Sequence, residues 1–202
     1  MMIALGLLVA GRASPFEVDT KWMEEIIEHR SPLWEVPALV MNFLGGGWFG
    51  VFAVPSAAAI VFLVLRRPWA ALYFVLVSAV SAGVVQLLKA AFGRLRPVEM
   101  LIPLDSGAFP SGHVANAATI AVSLALILAV RWVWAAGAVW IVLMALSRTY
   151  LGVHWFSDTV GGALLGAGVA VILWAPVAGV LERERERQEH GHRKTEAATV
   201  DP

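Results

Sequence analysis

No cysteine occurs among the 202 residues, which excludes disulfides, thiolate metal centres and cysteine nucleophiles. Charge is scarce too. Only 15% of residues are charged, against about 25% in soluble domains, and with a mean hydropathy of +0.74 this argues against a soluble globule. Neither sign of charge is in excess: Lys plus Arg number 15 and Asp plus Glu number 15, so no bulk basic field exists to hold nucleic acid. No basic residue precedes the first apolar stretch, 1–10, which weakens a signal-peptide reading. That stretch is also too short to cross a bilayer alone, since a crossing needs about 20 residues. It reads as a short or truncated first helix.

What the chain does have is long runs without charge, at Val36 to Leu65, Pro68 to Leu88, Gly112 to Val130, Trp132 to Ser147 and Thr159 to Leu181. A charge at the bilayer centre costs about 2.5–3.5 kcal/mol on insertion scales, so such runs locate membrane spans. The first run is interrupted by Pro37, Asn42 and Gly45 to Gly47, which places the start of its helix near Trp48. With the N-terminal segment, the expectation is an all-α integral membrane bundle of six helices, formed by residues 1–181 as one domain. Between the first two spans, Trp22, Met23, Ile26 and Ile27 recur at helical spacing beside Glu24, Glu25 and Glu28, the pattern of an interfacial amphipathic helix or of a plain solvated one. Residues 182–202 read as a charged, disordered tail. Its alternating Glu and Arg also suit a solvated helical extension, and His190 and His192 are read as part of that tail rather than as a metal site.

Arg66, Arg67, Arg131 and the arginines after Glu182 fall on one side of a six-span arrangement. The positive-inside rule makes that side cytoplasmic, with the C-terminus inside. Lys89, Arg96 and Arg148 break the rule by falling on the other face.

Three clusters gather at that outer face. Lys89 is followed after six residues by Arg96 and Pro97; Pro110, Ser111, Gly112 and His113 open one span; Ser147 and Arg148 precede His154 and Asp158. Alone, each has an ordinary reading. The two cations of the first could snorkel at a helix end, the second could be capping chemistry, and His154 with Asp158, placed at i and i+4 on a helix, could be a structural pair. Together they describe an anion site. The cations would repel a divalent metal held by His113, His154 and Asp158, whereas a phosphate could be engaged by arginine forks, a lysine and helix N-terminal amides at Ser111 and Gly112.

In order and internal spacing these clusters resemble the three signature motifs of the type 2 phosphatidic acid phosphatase superfamily, over Lys89 to Asp158. The resemblance implies a metal-independent lipid phosphatase that needs no cofactor and works through a phosphohistidine. His154 would be the nucleophile, Asp158 its orienting carboxylate, and His113 the general acid and then base. Lys89, Arg96, Arg148, Ser111 and Gly112 would bind phosphate. A polyprenyl diphosphate such as undecaprenyl diphosphate, a phosphatidate or a related glycerolipid phosphate would be the substrate, at the outer face of the plasma membrane. A lipid phosphotransferase and a non-catalytic anion-binding or transport protein are the competing readings. Two features stand outside the motifs. Arg94 is an accessory phosphate contact in this reading, and the apolar loop from Val98 to Phe109 either dips into the interface or packs.

Overall fold

The computed structural model describes residues 14–104 and 107–200; the expected first helix at 1–10 lies outside them. Every regular element among the described residues is helical. Helix α1, Glu17–Glu28, is the amphipathic segment: Met23 is buried and Trp22 packs at 5.5 Å on Phe156. Helix α2, Pro32–Gly45, starts where Ser31 Oγ accepts the Leu33 amide and Pro32 takes the first helical position, a pairing in which proline forfeits no helical bond.

The expected start of the next helix near Trp48 is corrected. The chain is already helical from Pro32, breaks at Gly46 and Gly47, and resumes through a π-helical turn, Phe49–Ala53, into α3, Val54–Val64. The two arms meet at a bend of 45°. The glycine run interrupts the helix without preventing it, since Gly47 takes a left-handed φ of +56° that residues with a Cβ rarely adopt.

Helices α4, Pro68–Phe92, α5, Gly112–Leu128, α6, Arg131–Tyr150, and α7, Phe156–Trp174, complete the bundle. A short 3-10 turn joins α7 to α8, Ala178–Val200, so the alternating Glu and Arg segment forms a helix here. By length and apolarity α4, α6 and the helix from Phe156 to Gln188 can each cross a membrane, and the bent α2–α3 pair would make a fourth span. The six-span count is therefore not reproduced among the described residues. Helix α5 has only 17 residues, because it is the short central helix around which the others pack.

Small residues make that central position possible. Ala115, Ala117, Ala118, Ala121 and Ala125 of α5 are buried, and α7 meets them with glycines. A Cβ at Gly166 would overlap the Ala115 carbonyl, and one at Gly162 would press on the Ser111 carbonyl. Close backbone approach of this kind drives helix association where lipid offers no hydrophobic incentive. Polar side chains pair in the middle of the bundle: Ser81 Oγ lies 2.8 Å from Thr119 Oγ1, and the Tyr73 hydroxyl donates to Ala170 O at 2.8 Å. Replacing Gly166 with Val is expected to destabilise the bundle by about 1–3 kcal/mol through overpacking. Thermal unfolding of detergent-purified protein should show the lower Tm, while Gly168→Ala, where an added Cβ meets nothing within 4 Å, should leave it level or raise it.

Alternating helix directions sort the charges between the two ends. At one end Arg67 reaches Ile127 O at 3.3 Å and Glu184 accepts the Trp69 and Ala70 amides at 2.8 and 3.1 Å. A carboxylate on exposed helix N-terminal amides is favourable, and here it pins α8 to the start of α4. The opposite end holds the three motif clusters.

Candidate active site

The structure brings all eight predicted site residues to that one end. A cavity of about 220 Å³ lies there, lined by Gly46, Lys89, Arg96, Gly112, His113 and His154 among others. Lys89 projects from the last turn of α4 and donates to Gly107 O. Arg96 follows in the extended segment after α4, bonding Val153 O and, at 3.3 Å, Gly107 O. Arg148, on the last turn of α6, is fully buried; its Nη1 donates to Asn42 Oδ1 at 2.6 Å, while its Nε and Nη2 have no hydrogen-bond partner among the described residues. Lys89 and Arg148 thus hydrogen-bond neutral oxygens.

His154 does not lie on a helix, which corrects the expectation. It sits in the connection between α6 and α7, whose first helical residue is Phe156. The connection turns tightly because Gly152 adopts φ +67°, where a Cβ would also press on the Glu99 carbonyl. His154 is 2% exposed, with Nδ1 3.6 Å from Asp158 Oδ2 and Nε2 3.5 Å from Arg96 Nη1. The 3.6 Å separation is too long for a hydrogen bond. The Asp158 oxygens are engaged elsewhere: Oδ2 accepts the Trp155 amide at 2.8 Å, and Oδ1 accepts from Arg94. Burial, and then the charges of Arg148, Lys89 and Arg96, hold the His154 imidazole well below its ordinary range, so it is neutral at physiological pH.

The start of α5 also differs in detail. The Ser111 amide donates to the Asp158 carbonyl at 3.0 Å, so it is not available to an anion, but the buried Ser111 Oγ has no hydrogen-bond partner among the described residues. Gly112 lines the cavity, and a Cβ there would meet Val85 only at 3.4 Å and Lys89 Cε at 4.0 Å. Packing therefore does not demand glycine at this position. His113 rests its Nε2 3.1 Å from the Asn42 carbonyl, and its ring occupies the space that a Cβ on Gly46 would take.

Sequence reasoning missed Asn42 as a site residue. It bonds Arg148 through its side chain and His113 through its backbone, and its signal was an amide inside an apolar run. Asn116, one turn beyond His113, ties α5 to the bend by donating to Gly45 O and Gly50 O at 3.2 and 2.9 Å. Asp19 is fully buried behind the site; its signal was a carboxylate on the same helix face as Trp22, Met23 and Ile26. Arg94, expected as a phosphate contact, bonds Asp19, Ser157 and Asp158 instead. The loop after Arg96 divides by residue. Ile102 and Leu104 pack against Ala38, Leu151 and Val153, and Phe109 is buried, while Val98 and Leu101 stay exposed.

Relatives share both sequence and architecture. The chain is 32% identical over 124 residues to an undecaprenyl-diphosphatase of Sulfolobus acidocaldarius, covering 58% of this chain and 59% of that protein. It is 34% identical over 111 residues to phosphatidylglycerophosphatase B of Bacillus subtilis, covering 50% and 55%. The matched stretch thus spans little more than half of those two relatives. A lipid A 4'-phosphatase of Bacteroides thetaiotaomicron is 27% identical over 169 residues, covering 74% and 72%. Among solved structures, a transmembrane PAP2-type phosphatidylglycerolphosphate phosphatase from Bacillus subtilis superposes with a TM-score of 0.75 at 26% identity, covering 86% of this chain and 92% of that one. Aquifex aeolicus LpxE gives 0.68 at 26% identity, covering 81% and 98%. The family model of the PAP2 superfamily matches residues 70–179, the stretch that carries all three clusters from Lys89 to Asp158, and the chain belongs to that superfamily.

Proposed function

We propose that this chain is a lipid phosphatase that hydrolyses a phosphate or diphosphate on a membrane lipid through a phosphohistidine at His154. The observation that carries it is the cavity at one end of an apolar bundle, where Lys89, Arg96, His113 and His154 meet, with the buried Arg148 tied to Asn42, which also meets His113. Three relatives named for undecaprenyl diphosphate, phosphatidylglycerophosphate and lipid A support a lipid phosphate as the substrate class.

His154 Nδ1 faces Asp158, leaving Nε2 as the attacking nitrogen. Nε2 forms a bond to phosphorus as the bond to the lipid oxygen breaks, and His113 supplies the proton that the departing oxygen takes up. Water then attacks phosphorus, giving its proton to His113, and the phosphorus–nitrogen bond breaks to release inorganic phosphate. Lys89, Arg96 and Arg148 stabilise the charge on the equatorial oxygens, the work that magnesium does in kinases. Ser111 Oγ and the Gly112 amide complete the cradle. The arginine-rich end around Arg66, Arg67 and Arg131 faces the cytoplasm on the positive-inside rule, so the cavity opens to the outer side of the plasma membrane.

The test is phosphate release from phosphatidate, phosphatidylglycerophosphate and undecaprenyl diphosphate, each in detergent micelles with excess chelator. Release within twofold of the chelator-free rate is the expected result, with inhibition by vanadate. A strict divalent-metal requirement would remove the cationic cradle from its role. Transfer of the label to another lipid would select the phosphotransferase instead, and binding without turnover would select an anion-binding protein.

A further inference from the structure

Arg94 lies two residues before Arg96, yet it is not part of the cavity lining. Its Nη1 donates to Ser157 Oγ at 2.8 Å and to Asp158 Oδ1, and its Nη2 donates to Asp19 Oδ2 at 2.7 Å. The rings of Phe16 and Trp155 lie 5.8 and 5.9 Å from its guanidinium carbon. Its side chain is 9% exposed, and both carboxylates are fully buried. Ser157 closes the cluster, giving its amide to Asp19 Oδ1 and its hydroxyl to Asp19 Oδ2, each at 2.8 Å.

Two buried carboxylates around one guanidinium carry a net negative charge. A single aspartate would have its charge largely cancelled by a bidentate arginine. With Asp19 sharing Arg94, Asp158 keeps part of its field for the imidazole beside it. The geometry also explains why Asp158 holds its place without a hydrogen bond to His154: Arg94 and the Trp155 amide fix its two oxygens.

We infer that Arg94 and Asp19 are positioning residues for His154, with Arg94 fixing the Asp158 carboxylate behind the imidazole and Asp19, carried in by α1, preserving that carboxylate's field. The inference rests on His154 being the nucleophile. It also assigns a role to α1. Phe16, Asp19 and Trp22 attach that helix to Arg94, Ser157 and Phe156, so the amphipathic segment is the outer wall of the nucleophile's support.

The two residues act on His154 with opposite sign. Removing the Arg94 cation strengthens the negative field and favours the imidazolium; removing the Asp19 charge does the reverse. The other charged or titratable groups facing His154 are Lys89 from α4, Arg96 from the following segment, His113 from α5, Arg148 from α6 and Asp158 from α7, and all are unchanged in both variants.

Histidine Cε1 NMR of the full chain in detergent micelles reads this directly and needs no substrate, with His154 assigned by the resonance lost in His154→Asn. Arg94→Gln is expected to raise the His154 midpoint by about one pH unit. Asp19→Asn should lower it, and Arg94→Lys should stay near the wild-type value. On a lipid phosphate that the wild type turns over, Arg94→Gln should cut kcat at least tenfold with KM within about threefold, and Arg94→Lys should recover most of the loss. An unmoved midpoint in Arg94→Gln, or a shift of the same sign in both variants, overturns the proposal. If Arg94→Gln yields no monodisperse protein, Asp19→Asn decides, since a midpoint at or above the wild-type value is incompatible with the assigned role. Failure of the phosphohistidine reading would show separately, as turnover that survives in His154→Ala.

Discussion

His154→Ala is expected to abolish the phosphoenzyme and to lower kcat by roughly 10⁴-fold or more, the scale on which loss of a covalent nucleophile is felt. His154 is buried, so alanine leaves a small cavity, but its Nδ1 has no hydrogen-bond partner among the described residues to lose. The protein should therefore remain folded. Labelled lipid phosphate, quenched in alkali to preserve the acid-labile phosphorus–nitrogen bond, should leave label on the wild type and none on the variant. The pH dependence follows from the same site. Burial and the neighbouring Arg148, Lys89 and Arg96 push the imidazole well below the ordinary histidine range. The neutral, attacking form then persists as the pH falls through about 6.5. The acid limb of phosphoenzyme formation should lie below that value; a limb at or above it would contradict a desolvated nucleophile among cations.

Arg148→Met should lower kcat/KM by about 10²–10³-fold, the usual cost of removing one preorganised donor from a transition-state oxyanion, while Tm stays level or rises. The opposite signs come from one cause. Arg148 is a fully buried cation whose hydrogen-bond partner is a neutral amide oxygen, with two nitrogens unsatisfied among the described residues. Burying such a group costs stability, and an apolar side chain of similar length removes that cost. An anion in the cavity would recover it. Steady-state kinetics beside thermal unfolding in detergent checks both halves. If activity and Tm fell together, Arg148 would be a packing residue and not part of the cradle.

Much of the site could be read from spacing. The three clusters were recognisable because cations at the ends of apolar spans are costly enough to stand out. Lys89, Arg96, Arg148, His113 and His154 all reach one end of the bundle, as their places at span ends require. The amphipathic segment at Trp22 to Ile27 was likewise legible from its period. The partners of these residues were not. Asn42 meets Arg148 across 106 positions and Asp19 meets Ser157 across 138, and no local pattern encodes a pairing between helices so distant in the chain. The reading of Arg94 failed for the same reason. Its neighbour Arg96 made it resemble a phosphate ligand, and only the buried carboxylates of α1 and α7 gave its guanidinium another destination.

The sequence by itself determined that this is a chain of membrane-crossing helices, through the scarcity of charge and its confinement to the ends of apolar runs, and that its exceptional cations and histidines fall at the ends of those runs. The absence of cysteine and of net charge narrowed their chemistry before any contact was known. Tertiary structure alone decided how the charges divide. Arg94 is held by Asp19 and Asp158, while Lys89, at the cavity, and the buried Arg148 rest on neutral oxygens. The physical reason is that helical periodicity sets which face a residue occupies, but in a low-dielectric interior the effect of a charge depends on the one or two groups it finally touches.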